Sequence, residues 1–198
     1  MRRRLANGRT EELLHGVLRL AAAEGFSGLK VADFARELHC SVATLYKLAP
    51  TKFDLMSVAL ERWGRQTLLE AEACSLECSD PSARARTYYR TGAERLRELS
   101  PEFRRDVDRF AATRQTWQRI SDEFIDRFSE LLQVAADTGE IRPVNPTFLV
   151  GMLRYIAQAV RDEDLLARAG LTAREALLEV DTIIWDGVRR DPTGPGAC

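Results

Sequence analysis

The sequence predicts an all-α protein, with an N-terminal head of three helices in a helix-turn-helix arrangement and a larger helical domain behind it. Apolar residues recur at i, i+3, i+4 and i+7 along most of the chain, and no convincing apolar–polar alternation indicates a strand. Capping and breaking residues divide the chain into about nine helices. We place the domain boundary after Lys52, which gives domains of residues 1–52 and 53–198.

Charge is distributed unevenly between these two domains. Residues 1–52 contain nine Lys or Arg and five Asp or Glu, a net charge of +4, whereas the remainder has a net charge of −5. A basic head on an acidic body fits a head that contacts nucleic acid. The N-terminal Met1–Arg4 is not followed by the apolar run of a signal peptide, and no stretch is long and apolar enough to cross a membrane. We therefore expect a cytoplasmic protein.

Cysteine and histidine usage argues against a metal site or an enzyme. Cys74 and Cys78 have helical i, i+4 spacing, but two thiols alone are better interpreted as small apolar residues at a helix end. The E-x-x-H at Glu12–His15 lacks the second copy that a di-metal bundle requires. Because the chain has only two histidines, the usual triads and zinc sites lack material. We predict no catalysis and no cofactor.

The first helix is predicted to begin at Thr10 and to end at Gly25. Residues 1–9 are polar and rich in arginine, which indicates either a disordered end or an arm that contacts DNA. Thr10 is a suitable N-cap, and Gly25 can adopt the left-handed conformation that ends a helix. The apolar stripe of this helix consists of Leu14, Val17, Leu18 and Ala21.

Residues 30–52 predict a helix-turn-helix. The stripe of the first of these helices consists of Val31, Phe34, Ala35 and Leu38. Ser41 can cap the next helix, and the T-x-x-D pattern from Thr51 begins a third. Two helices this short are not stable alone and must pack on a neighbour. The second helix of such a motif normally enters the DNA major groove.

The run GLKVADFARELHCSVATLYKLAPTKFDL resembles the DNA-binding region of the TetR family of bacterial transcriptional regulators. The matching positions of the family pattern are Phe34-Ala35, Cys40-Ser41, Tyr46, Lys52 and Leu55. Three positions depart from it: Lys30 replaces a capping Thr, His39 the turn glycine and Ala49 a packing Phe. His39 can still form the turn, because histidine tolerates positive φ better than most residues.

The resemblance implies a set of DNA-contacting residues at the matching positions. Ser41 to Thr44 would face the base edges, where Val42 and Ala43 allow only apolar contacts. Tyr46 and Lys52 would contact phosphates, and Lys47 would face DNA. The complete predicted set is Lys30, Ser41, Val42, Ala43, Thr44, Tyr46, Lys47 and Lys52.

The body is predicted to be helical, with one long helix from Thr51 to about Cys74 or Cys78 and others at about 81–99, 102–111, 113–137, 145–168 and 172–190. Its aromatic residues fit either an ordinary core or an apolar cavity. The resemblance favours a pocket for a small, apolar or aromatic effector. The candidate ligand-binding residues are Trp63, Tyr88, Phe110, Trp117, Phe124, Phe128, Met152 and Tyr155.

The last two helices have more apolar surface than a small body needs to cover. One stripe consists of Phe148, Met152, Ile156 and Ala159, and the other of Leu177, Val180, Ile184 and Val188 beside Trp185. The resemblance implies that these helices form a homodimer interface. Two heads about one helical turn apart, or a multiple of it, would read a palindromic operator.

These patterns predict a dimeric TetR-like transcriptional regulator, a repressor that binds double-stranded DNA and is released by a small-molecule effector. The alternative is a TetR-fold protein that binds a lipid or a protein partner without specific DNA binding. The departures at Lys30, His39 and Ala49 keep that alternative open.

Overall fold

The computed structural model describes the backbone from Arg2 to Val188 and the side chains from Gly8 onward, Pro146 excepted. This range contains ten α-helices, a 3₁₀ turn at Leu96–Glu98 and no β-strand, which confirms the all-α prediction. None of its helices is long and apolar enough to span a membrane. The helices are α1 (Arg2–Glu24), α2 (Val31–Glu37), α3 (Val42–Tyr46), α4 (Lys52–Leu76), α5 (Pro81–Arg95), α6 (Pro101–Arg109), α7 (Ala111–Asp137), α8 (Pro146–Ala159), α9 (Glu163–Ala169) and α10 (Ala173–Val188).

Several predicted boundaries were wrong. Helix α1 begins at Arg2, so residues 2–9 form its first turns and Thr10 is not an N-cap. Arginine, leucine and alanine all favour a helix, and this preference outweighs the weaker Asn-Gly pair in the same stretch. The predicted helix 145–168 is two helices, because Asp162 caps α9 by accepting a hydrogen bond from the Leu165 amide at 3.0 Å.

The cysteine pair also differs from expectation. Helix α4 ends at Leu76, so Cys78 lies beyond it and does not share a helix face with Cys74. Both thiols are free, and Cys78 Sγ lies 3.3 Å from the hydroxyl of Thr87. Within the described residues, no group of His, Cys, Asp and Glu could hold a metal ion.

The chain forms two compact units. The first comprises Met1–Leu68 and Arg95–Asp122, and the second Leu69–Glu94 and Glu123–Cys198. The first unit has a continuous apolar core that joins α1–α4 to α6 and the start of α7. The predicted assignment of DNA binding to residues 1–52 is a functional one, and it stays a prediction.

Aromatic contacts and partly exposed ion pairs join the helices of the second unit. The ring of Tyr88 stacks on that of Phe124 with centroids 4.7 Å apart, and the ring of Tyr89 lies 4.9 Å from that of Phe128. Gly92 leaves the space on α5 that the Phe124 ring occupies. Arginine–carboxylate pairs join elements far apart in sequence, namely Arg127–Glu72, Arg174–Glu94 and Arg86–Asp181.

Candidate nucleic-acid interface

Helix α3 is short, and it is held by a cap at its start and an apolar anchor inside. The Ser41 hydroxyl accepts a hydrogen bond from the Thr44 amide at 3.1 Å, which confirms the predicted N-cap. The two hydroxyls of Ser41 and Thr44 also lie 2.8 Å apart. Leu45 is only 1% exposed and fixes the inner side of the helix in the core of the first unit. The orientation of α3 relative to the core of the first unit is therefore fixed, and its opposite side faces solvent.

Most of the predicted DNA-contacting residues are exposed to solvent. Tyr46 is 49% exposed and Val42 is 36% exposed, so neither is a core residue. Thr44 is half-buried. The exposed members of the predicted set are Lys30, Ser41, Val42, Ala43, Tyr46 and Lys47.

The turn between α2 and α3 forms without glycine. His39 has φ of 50°, the positive value predicted for this position. Its amide bonds the carbonyl of Arg36 at 3.2 Å, and the amide of Cys40 bonds that of Ala35 at 2.9 Å. These bonds end α2 and direct the chain into α3, so the replaced glycine does not prevent the motif.

A carboxylate supports the start of α2 in place of the missing threonine cap. Lys30 occupies the N-cap position, but its ammonium group has no acceptor to offer. Asp33 instead accepts a hydrogen bond from the Lys30 amide at 2.9 Å. This bond is the main cause of a lowered pKa for Asp33, and the positive charge of Arg36 lowers it further.

Lys52 has a role different from the predicted phosphate contact. Its ammonium nitrogen donates to the carbonyls of Phe26, Ser27 and Leu29 at 3.1, 3.0 and 3.0 Å. An ammonium group has three N–H donors, and these three bonds use them all. A phosphate contact would require Lys52 to leave these carbonyls, which belong to the α1–α2 loop (residues 25–30).

Asp106 of α6 binds hydrogen-bond donors of the same loop, whereas Lys52 binds its carbonyl acceptors. Its Oδ2 accepts hydrogen bonds from the amides of Phe26 at 2.6 Å and Ser27 at 2.7 Å, and its Oδ1 accepts one from the Ser27 hydroxyl. Gly25 precedes these amides with φ of 83°, the left-handed conformation predicted for it. Sequence reasoning missed Asp106, because no local pattern relates it to a loop about 80 positions earlier.

The eight predicted ligand-binding residues are divided between the two units. Trp63, Phe110 and Trp117 belong to the first unit, where the two indoles stack at 5.8 Å and Phe110 stacks on Phe53 at 4.1 Å. The Trp63 indole N–H also donates to Glu98 at 3.0 Å. Helical spacing reveals that a face is apolar, but not which neighbour covers it.

The other five candidates lie in the second unit. Tyr88 and Phe128 are buried and contact neighbouring aromatic rings, and Phe124 is stacked on Tyr88. Met152 and Tyr155 are instead 37% and 76% exposed on α8. An exposed tyrosine cannot line a closed interior cavity within this unit.

The predicted dimer stripes differ between the two helices. On α8, Phe148, Met152 and Tyr155 are exposed, which leaves an apolar face at helical spacing. On α10, Ile184 and Val188 are buried within the unit, whereas Ile183 is 69% exposed. Leu177 and Val180 are half-buried, so only the C-terminal half of the predicted α10 stripe is internal.

No protein-family model matches the sequence, and no curated protein matches it either. Solved structures do match its fold. A provisionally assigned transcriptional regulator from Saccharomonospora viridis, in complex with choline, has a TM-score of 0.73 at 16% identity, with 94% of this chain and 100% of that chain covered. A TetR transcription regulator from Haloarcula marismortui has a TM-score of 0.72 at 17% identity, with 93% and 100% covered.

A third solved structure, the transcriptional regulator FadR from Bacillus subtilis in complex with stearoyl-CoA, has a TM-score of 0.69 at 13% identity, with 90% and 99% covered. At these identities the likeness concerns the fold. The capped α3 and the turn at His39 define a helix-turn-helix head, and the described residues contain no strand. More specifically, the chain has the fold of the TetR-family transcriptional regulators, as the resemblance in sequence predicted.

Proposed function

We propose that the protein is a dimeric transcriptional repressor that binds an inverted-repeat operator through α3 and is released by a small-molecule effector. The observation that carries the proposal is the capped α3, which is anchored by Leu45 and exposes Tyr46 and Lys47 on its outer side. Proteins of the same fold are transcriptional regulators, which agrees with the expectation that this chain is not an enzyme. Such a regulator would act in the cytoplasm.

Phosphate contacts should supply much of the binding energy. Val42 and Ala43 can contact only apolar groups on the bases, such as the thymine methyl. The Thr44 hydroxyl already lies against that of Ser41, so its capacity to read a base is limited. We therefore assign the phosphate contacts to Tyr46, Lys47 and Lys30, with the second copy of the head doubling them.

The direct test is a titration of the full chain with duplex DNA that contains an inverted repeat from beside its coding region. At moderate salt we expect clear preference over a random duplex of equal length. Equal affinity for the two duplexes would overturn the proposal. It would favour the alternative, a TetR-fold protein that binds a lipid or protein partner, which the departures at Lys30 and His39 keep in view.

Lys47→Met is expected to weaken operator binding about tenfold and to lower the salt-dependence slope by about one, because one phosphate contact is lost. Stability should stay unchanged, since Lys47 is exposed. Fluorescence anisotropy at several salt concentrations measures both quantities. The matched control is Arg65→Met, which removes a 74% exposed cation from α4. An equal effect of the two variants would contradict the assignment of Lys47.

We propose that a second copy of the chain covers the α8 face. The resemblance to TetR-family regulators implies this occupant, and Phe148 and Tyr155 are large aromatic residues at 72% and 76% exposure. Aromatic residues and methionine are enriched in the cores of protein interfaces. Of the predicted α10 stripe, only the half-buried Leu177 and Val180 remain candidates, and exposed Ile183 joins them.

The double variant Phe148→Glu/Tyr155→Glu is expected to be a folded monomer, because two buried like charges per copy would oppose pairing. Sedimentation equilibrium gives the mass, and circular dichroism verifies folding. Leu76→Glu is the control, since it changes an apolar residue that is 60% exposed on α4. A double variant that remains dimeric would place the interface elsewhere.

The effector is expected to be a small molecule with an apolar or aromatic part. Tyr88, Phe124 and Phe128 of the second unit support this expectation. Two proteins of the same fold have been solved with choline and with stearoyl-CoA, so the fold can accept chemically different ligands. If the effector releases the operator, then operator binding must weaken effector binding by the same factor.

A further inference from the structure

Four side chains of α5 and α10 form a polar cluster inside the second unit, which we call the α5–α10 cluster. Arg86 and Tyr89 lie one turn apart on α5, and Asp181 and Trp185 lie one turn apart on α10. Arg86 Nε and Nη2 donate to Asp181 Oδ2 at 3.2 and 3.0 Å. The guanidinium group also lies over the Trp185 ring, 5.8 Å from its centroid. The cluster therefore joins two helices about 95 positions apart.

Three polar atoms of this cluster have no hydrogen-bond partner among the described residues. They are the Tyr89 hydroxyl, Asp181 Oδ1 and Trp185 Nε1. Their residues are only 5%, 2% and 7% exposed. A buried polar atom without a partner destabilises the folded chain, and native proteins contain few of them. Three in one cluster indicate groups that are kept for binding rather than for stability.

The chemistry of the three atoms defines a complementary group. Burial raises the pKa of Tyr89, and the negative charge of Asp181 raises it further, so the phenol stays protonated and can donate. The Trp185 indole can only donate, and a carboxylate oxygen can only accept. Two donors and one acceptor match a hydroxyl or a carboxamide, each of which can accept and donate at once.

The charge balance of the cluster favours a neutral ligand. Arg86 already pairs with Asp181, so the two charges compensate each other. A charged ligand would bring an unpaired charge into a buried setting, which is costly. The Tyr89 ring lies 4.9 Å from Phe128 and 6.4 Å from Phe124, so aromatic surface adjoins its hydroxyl. The side chain of Arg86 is 38% exposed and forms the outer edge of the cluster.

We infer that the α5–α10 cluster binds the hydroxyl or carboxamide of a small neutral molecule with an aromatic or apolar body. Asp181 Oδ1 accepts from the ligand, while the Tyr89 hydroxyl and the Trp185 indole N–H donate to it. The regulatory meaning of this site rests on the proposed function, because it gives the effector a chemical class. The binding event itself can be measured without DNA.

The test follows the indole N–H signals of ¹⁵N-labelled protein by NMR. The chain has three tryptophans, and Trp185→Phe identifies the signal of Trp185. Benzyl alcohol is the probe, with toluene, benzoate and benzylammonium as analogues of nearly equal shape. We expect benzyl alcohol to shift the Trp185 signal in a saturable manner and the analogues to shift it little. Trp63 is the internal control, because its indole N–H is bound to Glu98.

Tyr89→Phe is expected to weaken benzyl alcohol binding about fivefold, because it removes one hydrogen-bond donor. It should leave the melting temperature of the free protein unchanged or raised, since the hydroxyl has no partner to lose. The control is Thr182→Val, which removes a hydroxyl from the exposed side of α10.

Three results would overturn the inference: no shift of the Trp185 signal by benzyl alcohol, equal shifts by toluene or benzoate, or a clear loss of stability in Tyr89→Phe. The operator titration separates this inference from the proposed function. A protein that prefers its operator but does not bind benzyl alcohol keeps its function and loses this site. A protein that binds benzyl alcohol without preferring the operator keeps the site and loses the repressor function.

Discussion

Asp106→Ala is expected to lower the free energy of unfolding by about 2–4 kcal/mol, because two backbone amides lose a charged acceptor. The amides belong to Phe26 and Ser27, at 2.6 and 2.7 Å from Asp106 Oδ2. The Phe26 side chain is fully buried, so the loop cannot turn its amide toward water without moving that ring. Urea denaturation followed by circular dichroism measures the change.

A control on the same helix separates this effect from the general effect of removing an acid. Glu102 is exposed and forms a surface ion pair with Arg105, so Glu102→Ala should change stability by no more than about 0.5 kcal/mol. Asp106→Asn should lie between the two, because it keeps one acceptor oxygen without the charge. Similar losses in Asp106→Ala and Glu102→Ala would mean that the loop does not depend on Asp106.

Lys52→Met is expected to lower the free energy of unfolding by about 2–3 kcal/mol, because three carbonyls lose a charged donor. The carbonyls of Phe26 and Leu29 are partly buried, which limits the water that could replace the ammonium group. Methionine is close in length to the aliphatic part of lysine, so packing should change little. Thermal denaturation at fixed protein concentration measures the loss.

Comparison with Lys47→Met gives this second prediction its control. Lys47 is the exposed C-cap of α3, so under the proposed function its substitution should weaken operator binding at unchanged stability. Lys52→Met should instead lower the stability of the folded head, and DNA binding should weaken only because the head is less stable. A Lys52→Met protein of full stability, with weaker binding and a smaller salt slope, would restore the phosphate contact predicted from the sequence.

Features of the head that depend on near neighbours could be predicted from the sequence. The caps of Ser41 and Thr51 each bond an amide three residues ahead, at 3.1 Å in both cases. The positive φ of Gly25 and His39 likewise reflects the steric needs of single residues at helix ends. A periodic apolar stripe predicts which side of each helix is buried. Together, the caps, turns and stripes predict the helix-turn-helix.

Features that depend on distant partners could not be predicted. The bonds of Lys52 and Asp106 to the α1–α2 loop span about 26 and 80 positions. The family pattern therefore predicts a phosphate contact for Lys52, although its ammonium group binds carbonyls in the structure. Periodicity likewise gives Trp63 and Tyr88 equal weight as ligand-binding candidates, although they lie in different units.

The α5–α10 cluster could not be predicted for the same reason, because its residues are distant in sequence. Arg86 and Tyr89 are ordinary polar and aromatic residues in the sequence, and Asp181 lies within an apolar stripe. Only the packing of α5 and α10 shows that Arg86 pairs with Asp181 and that buried polar atoms of Tyr89, Asp181 and Trp185 lack partners. Buried polar groups are thus visible in the structure and absent from any local pattern.

Because Asp106 and Lys52 both bind the α1–α2 loop, their substitution should have a recognisable mutant phenotype. If the protein is the repressor proposed above, a screen for mutants that no longer repress should recover Asp106 substitutions on α6 as well as changes in α3. The position of Asp106 outside α2 and α3 would suggest an allosteric effect. The hydrogen bonds to the loop give a simpler cause, since these variants lose the contacts that fix the chain just before α2. Such alleles should be temperature-sensitive and rescued by cooling, whereas Lys47 alleles should be defective at every temperature.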